Sequence, residues 1–129
     1  EYFRFDDSFY AAARLLRILS SSDKTLSELL NDVPRYPSTA EGRIHCPDEK
    51  KFDVVASLRD KALEEHEAIT VDGVRILYPE GWGLVRASNT QPVIVTRCEG
   101  KTDGDLEKIS ADVRRRLLDE GLPDFYWTY

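Results

Sequence analysis

The sequence predicts an α+β fold in which an antiparallel sheet carries two helices on one face, preceded by a further helix. Two observations predict the sheet: short β-like runs follow one another in the second half of the chain, and turn signals separate them. A third predicts the helices, because apolar residues recur at intervals of three and four positions on either side of those runs. We therefore expect the order strand, helix, three-strand meander, loop, strand, helix.

The N-terminal part of the chain is predicted to be helical. Residues 1–5 are rich in aromatic side chains and suit the end of a strand, and residues 7–20 then have the spacing of an amphipathic helix. Asp6 and Asp7 are placed to cap this helix, whereas adjacent carboxylates at a helix start diverge and suit a metal ion poorly. A Thr-x-x-Glu capping box at Thr25 opens a short second helix.

A segment with two prolines, residues 31–37, predicts a linker. We place a domain boundary within it. Residues 1–32 are then the helical end of one domain together with a hinge, and residues 33–129 form a second domain. The chain contains no methionine, which favours a piece of a longer protein.

The second domain is predicted to begin with a strand at residues 38–45 and a helix from Asp48 to about His66. The start of that helix, residues 48–51, is charged and is expected to be solvated. Its buried face is expected to consist of the apolar residues at helical spacing, Phe52, Val55, Leu58, Ala62 and Leu63.

A meander follows, with strands expected at residues 68–71, 74–78 and 82–85. Asp72-Gly73 between the first two predicts a two-residue turn of type I′. A fourth strand is expected at residues 93–98. The last helix is expected to start after residue 102 and to end before Gly121, with a core face formed by Leu106, Ile109, Val113 and Leu117.

The loop before the fourth strand carries an unusual set of polar side chains, namely Arg86, Ser88, Asn89, Thr90 and Gln91. A hairpin turn needs only one or two residues that tolerate positive φ. A guanidinium offers forked donors to two oxygens, hydroxyls and amides add single donors, and backbone N–H groups in a tight loop can form an anion nest. The loop therefore indicates a site for a tetrahedral oxyanion, and a polar surface turn with an incidental arginine is the alternative.

Residues 81–92 read Gly-Trp-Gly-Leu-Val-Arg-Ala-Ser-Asn-Thr-Gln-Pro. This string resembles the phosphate-binding loop in the C-terminal domain of the α-D-phosphohexomutases, most of all their bacterial phosphomannomutase/phosphoglucomutase branch. Residues 3–20 resemble the last helix of the third domain of the same family, with departures at Arg4, where Gly is usual, and at residues 8–9, where Gly-Ile is usual.

The resemblance implies a TATA-binding-protein-like fold for this fourth domain. It also implies that Arg86, Ser88, Asn89 and Thr90 hold the sugar's phosphate group that is not transferred in the reaction. Gln91 stands at a variable position of the family pattern and is assigned to the same phosphate only by its place in the loop.

The family reaction interconverts hexose 1-phosphates and 6-phosphates through a phosphoserine, assisted by Mg²⁺. The serine loop and the metal-binding aspartates of the family lie in its first three domains, and none of those motifs occurs here. The resemblance thus implies no catalytic residue, metal site or cofactor in this chain, Mg²⁺ in the full-length enzyme, and no activity of the chain alone. Its partners would be a glucose or mannose phosphate and the other domains. The alternative is a stand-alone anion-binding or interaction module that docks through the helix at residues 7–20.

The composition of the chain excludes several other kinds of function or makes them improbable. The net charge of −6 and a pI near 4.9 disfavour nucleic acid as a partner, and no apolar run approaches the ~20 residues of a membrane span. Cys46 and Cys98 are too few for a disulfide framework and suit reduced thiols in a cytoplasmic protein. His45 and His66 have no metal-ligating neighbours at the usual spacing.

Three further features have alternative interpretations. The basic run at residues 114–116 is expected to be a solvated helix face, because successive positions on a helix point in different directions. Trp82 suits packing within the sheet better than stacking on a sugar. Arg75 and Arg97 lie in strands beside the loop and are candidates to enlarge its positive field.

Overall fold

The computed structural model of the protein describes residues 6–127, and they fall into two compact units that divide between Arg35 and Tyr36. The strand end predicted at residues 1–5 lies outside the described residues. The first unit contains the helices α1 (Ser8–Ser20) and α2 (Leu26–Leu29). Its assignment to the end of a preceding domain stays a prediction.

Both helices of the first unit start where capping residues predict. The Asp7 carboxylate accepts a hydrogen bond from the backbone N–H of Tyr10 at 3.0 Å. At the start of α2, the Thr25 hydroxyl accepts from the N–H of Glu28, and the Glu28 carboxylate accepts from the N–H of Thr25. The capping box is therefore confirmed.

The second unit is a five-stranded antiparallel sheet with two long helices. Its strands are β1 (Gly42–His45), β2 (Ala68–Ile69), β3 (Val74–Tyr78), β4 (Gly81–Ala87) and β5 (Val93–Gly100), in the spatial order β1-β5-β4-β3-β2. The helices are α3 (Asp48–Glu65), which packs on β3, β4 and β5, and α4 (Asp103–Asp119), which packs on β4 and β5. The predicted α+β class is confirmed.

The core lies between the helices and one face of the sheet. Alternate strand residues such as Val85, Ile76 and Cys98 point into it, as period-two pleating requires. The helices contribute residues at helical spacing, which are Val55, Leu58, Ala62, Leu106, Ile109, Val113 and Leu117. Cys46 and Cys98 are free, buried thiols, and burial raises the pKa of Cys98 to about 12.

The structure corrects the predicted face of α3. Phe52 and Leu63 are 55% and 48% exposed, whereas Lys51, expected in solvent, is only 3% exposed. Lys51, Val55, Leu58 and Ala62 follow the spacing i, i+4, i+7 and i+11, so one stripe buries all four and leaves Phe52 and Leu63 on its flanks. Helical phase determined burial here, and polarity did not.

One strand connection and the start of one strand also differ from expectation. β2 ends at Ile69 and β3 begins at Val74, so four residues join them instead of the two of a type I′ turn. Gly73 still has the left-handed φ of +75°. A side chain at this position would also meet the Val85 carbonyl, with its Cβ only 2.3 Å from that oxygen. The strand predicted from residue 38 is a single bridge between Ser38 and Glu99, and β1 begins only at Gly42.

Candidate functional site

The predicted anion-binding loop lies between β4 and β5 and is closed by its own backbone. The N–H of Ser88 donates to the carbonyl of Val93 at 3.0 Å, and the N–H of Val93 donates to the carbonyl of Gln91 at 2.8 Å. The Ser88 hydroxyl is nearly buried and accepts from the N–H groups of Thr90 (3.4 Å) and Gln91 (3.2 Å). The loop thus has a fixed shape in which Ser88 is the inner residue.

Asn89 and Thr90 form the exposed tip of the loop. Within residues 6–127, neither side chain makes a hydrogen bond with another residue. Their amide and hydroxyl donors therefore remain available to a ligand, whereas the inner N–H groups of the loop are already directed at Ser88.

Arg86 is a strand residue and precedes the loop itself, because β4 extends to Ala87. Its position in the β4–β5 register places it on the face of the sheet opposite the helices. Its Nη1 lies 3.4 Å from Oδ2 of Asp72, in the connection between β2 and β3, and both side chains are substantially exposed. A long, exposed ion pair of this kind is weak. The guanidinium therefore keeps donors that an anion can use.

Gln91 links the loop to β1. Its side-chain carbonyl accepts from Nη1 of Arg43 at 2.6 Å, and Arg43 in turn pairs with Glu41. One end of the Gln91 amide is therefore engaged within the sheet, and only its NH₂ group is left for a ligand.

Lys51 is a residue of this region that the sequence interpretation missed. Its Nζ donates to the backbone carbonyl of Gln91 at 3.0 Å and pairs with the Asp48 carboxylate at 2.6 Å. The signal that identifies it is the phase of α3, since Lys51 lies on the same stripe as Val55 and Leu58.

The open face of the sheet is rich in arginine. Strand register places Arg43, Arg75 and Arg97 on the same face as Arg86. Arg75 and Arg97 flank Leu84 on either side of β4, one pleat away from Arg86. In a chain of net charge −6, four arginines therefore lie on one face of the sheet.

Arg75 and Trp82 interact with each other. The guanidinium of Arg75 lies 4.2 Å from the centre of the Trp82 ring, and the indole N–H donates to Glu99 at 3.1 Å. Packing within the sheet is thus the observed role of Trp82. Arg97 reaches the hydroxyl of Ser38 at 3.2 Å.

The basic run at residues 114–116 is only partly a solvated face. Arg116 is 6% exposed and bonds the carboxylates of Asp112 and Glu65. Burial opposes ionisation of Asp112, but hydrogen bonds from Arg116, Tyr78 and Arg115 outweigh it and lower the pKa of Asp112 to about 2. This network joins α3, α4 and β3 and makes Arg116 a structural residue.

Other chemistry-bearing residues do not gather into a site. Among residues 6–127, no group of three or more His, Cys, Asp and Glu side chains is arranged to hold a metal ion. The helices of that same stretch include none with the length and apolarity that a bilayer crossing requires. His66 packs against the ring of Tyr78, with ring centres 4.8 Å apart.

These observations define the structural class as an α+β domain with an arginine and a polar loop at the ends of two inner strands of its sheet. Residues 41–116 match the family described as phosphoglucomutase/phosphomannomutase, C-terminal domain. The chain belongs to this family, and the matched residues are its C-terminal domain.

Several proteins are similar to nearly the whole chain. Phosphomannomutase/phosphoglucomutase of Pseudomonas aeruginosa is 44% identical over 125 residues, which are 95% of this chain and 27% of that protein. Phosphoglucomutase of Neisseria meningitidis is 43% identical over 129 residues, again 27% of that protein. A crystal structure of a phosphoglucomutase/phosphomannomutase family protein from Burkholderia thailandensis is 37% identical, with a TM-score of 0.76 over 99% of this chain. The chain therefore spans about a quarter of the length of these relatives.

Proposed function

We propose that this chain is the phosphate-anchoring C-terminal part of a phosphohexomutase, an isomerase that interconverts hexose 1-phosphates and 6-phosphates. In this proposal Arg86 binds two oxygens of the phosphate that is not being transferred, and the loop supplies Ser88, Asn89, Thr90 and the NH₂ of Gln91. The observation that carries the proposal is the loop itself. Its backbone is fixed by Ser88, and just beyond the end of the strand that carries Arg86 it holds the donors of Asn89 and Thr90, which have no partner within residues 6–127.

The chemistry of these donors suits a phosphate dianion. A guanidinium can donate two parallel hydrogen bonds to it, and hydroxyl and amide groups add single bonds in other directions. Asp72 holds Arg86 only through a long and exposed contact, so an incoming dianion can replace it. Arg43, Arg75 and Arg97 on the same face add a positive field that attracts the sugar phosphate.

Anchoring contributes to the reaction without any contact with the reacting atoms. Phosphoryl transfer depends mainly on positioning and on charge stabilisation, so a held phosphate at one end of the sugar orients the other end. The phosphoserine, Mg²⁺ and sugar recognition belong to the other domains, which are this chain's proposed partners together with glucose or mannose phosphate. The chain alone is proposed to be inactive. The two free buried thiols suit a reducing compartment such as the cytoplasm.

The experiment is an NMR titration of the chain with glucose 1-phosphate, repeated with Arg86→Ala. We expect amide shifts confined to residues 86–91 in the wild type and at least a tenfold weaker affinity in the variant, because a charged hydrogen bond contributes about 1.5–3 kcal/mol. Arg115→Ala is the matched control, since Arg115 is an exposed arginine whose ion pairs, with Asp112 and Asp119, lie within α4. Equal affinities for Arg86→Ala and Arg115→Ala would refute the anchor.

A second candidate function is docking through α1. In this chain, Phe9, Leu16 and Ile18 of that helix are 88%, 65% and 55% exposed, and none of its residues is buried. In a phosphohexomutase this face would belong to the preceding domain, whereas in an interaction module it would bind a partner. The same titration separates the two, because a ligand effect along α1 without shifts at residues 86–91 favours docking.

A further inference from the structure

Lys51 is the most deeply buried charged residue in the described part of the chain. It is 3% exposed, although it lies in the first turns of a helix whose neighbouring lysine, Lys50, faces solvent. Burying an ammonium group is costly unless good partners compensate it. Its hydrogen-bond partners are the Asp48 carboxylate on its own helix and the backbone carbonyl of Gln91, 40 positions away in the loop, and its Nζ also lies 5.1 Å from the centre of the Phe52 ring.

The bond from Lys51 to Gln91 lies at that end of the loop at which the chain enters β5. The loop is attached to β1 at the same place, because the N–H of Cys46 donates to the carbonyl of Pro92 at 2.9 Å. The Gln91 carbonyl therefore has two donors, Nζ of Lys51 and the N–H of Val93. Of these two bonds, only the one from Lys51 joins the loop to a helix, α3.

We propose that Lys51 is a positioning residue for residues 88–92, and that it fixes the loop in the shape that presents Asn89 and Thr90 to a phosphate group. This inference rests on the proposed function for the identity of the ligand. Lys51 acts through the loop backbone and does not touch the ligand.

If Lys51 served only the stability of the fold, its replacement would lower the thermal midpoint of the chain, whereas the positioning role predicts an unchanged midpoint. Replacing Lys51 by Met leaves no buried partner without a bond, since Asp48 is largely exposed and the Gln91 carbonyl keeps the N–H of Val93. Apolar replacement of a buried ion pair is often neutral or stabilising. Lys51→Met should therefore keep the thermal midpoint of the chain while it loosens the loop.

The test compares the chain with its Lys51→Met and Lys50→Met variants. The second is the matched control, because it removes the same charge from the adjacent, exposed position. Two quantities are measured, the ¹⁵N heteronuclear NOE of the amides of residues 89–91 and the dissociation constant for inorganic phosphate. For Lys51→Met we expect a lower NOE at these amides and about tenfold weaker phosphate binding. Lys50→Met should match the wild type.

Lys51→Gln is measured in parallel in case the methionine variant does not fold, and it should show the same change in NOE because its shorter side chain cannot span the gap. Equal NOE values and equal phosphate affinities in the Lys51 and Lys50 variants would overturn the inference. Absence of phosphate binding by the wild type, together with a looser loop in Lys51→Met, would instead refute the proposed function and support the positioning of the loop by Lys51.

Discussion

The guanidinium of Arg86 lies 3.4 Å from the carboxylate of Asp72, and this acid competes for the site that a phosphate is proposed to occupy. Both groups are accessible to solvent, so their mutual attraction is small. The negative charge of Asp72 nevertheless remains beside any anion that binds there.

We therefore expect Asp72→Asn to strengthen phosphate binding. Removal of a competing exposed carboxylate is worth up to about 1 kcal/mol, which corresponds to a gain of about fivefold in affinity. Phosphate titration of the two proteins measures this gain. Asp60→Asn is the control, since Asp60 pairs with Arg59 on the exposed side of α3. Weaker binding by Asp72→Asn would mean that Asp72 helps to position Arg86.

If the proposed function holds, Arg86→Ala should also reduce the catalytic efficiency of the proposed full-length phosphohexomutase. Loss of one charged, forked contact to the phosphate is expected to lower kcat/KM by about tenfold to a hundredfold. Steady-state kinetics with glucose 1-phosphate gives this ratio. Unchanged kinetics in the variant, with Arg115→Ala as reference, would remove Arg86 from the site.

The stability of the domain should fall at low pH because of Asp112. Its pKa in the folded protein is about 2, below the unfolded value of 3.8, so its stabilisation is complete above about pH 4 and is lost as the pH falls toward 2. The contribution is about 2 kcal/mol. Urea unfolding at about pH 6 and about pH 3 should show that Asp112→Asn reduces the difference between the two free energies of unfolding. Asp119→Asn, on the exposed side of the same helix, should leave that difference unchanged.

At Gly83 the sheet lies directly against a side chain of α4. A Cβ added there would lie 2.4 Å from Cγ2 of Val113 in the core. Gly83→Ala should therefore lower the free energy of unfolding by about 1–3 kcal/mol. Gly104→Ala is the matched control, because its nearest neighbour is 4.0 Å away and alanine favours a helix. A control that destabilises as much as Gly83→Ala would contradict this packing argument.

Much of the fold could be predicted from local signals. The caps at Asp7 and Thr25 and the core stripe of α4 are where the sequence places them, because capping and helical phase depend on neighbouring residues only. The prediction of a two-residue turn at Asp72-Gly73 is wrong, because the register between strands decides how many residues a turn contains.

The residues of the site were less predictable than the fold. The composition of the loop is visible in the sequence, but its support is not, since the contacts of Lys51 and Arg43 with Gln91 join residues more than 35 positions apart. Arg116 was misread for the same reason, because its partner Glu65 lies on the other long helix. A polar residue on a buried helical stripe is the local sign that such a distant partner exists.

A crystal structure of this chain with glucose 1-phosphate tests the central claim most directly. The account predicts that the phosphate lies within hydrogen-bonding distance of the Arg86 guanidinium and of the Asn89 and Thr90 side chains, with Asp72 displaced from Arg86. A phosphate bound elsewhere on the domain, with Arg86 still paired to Asp72, would contradict it.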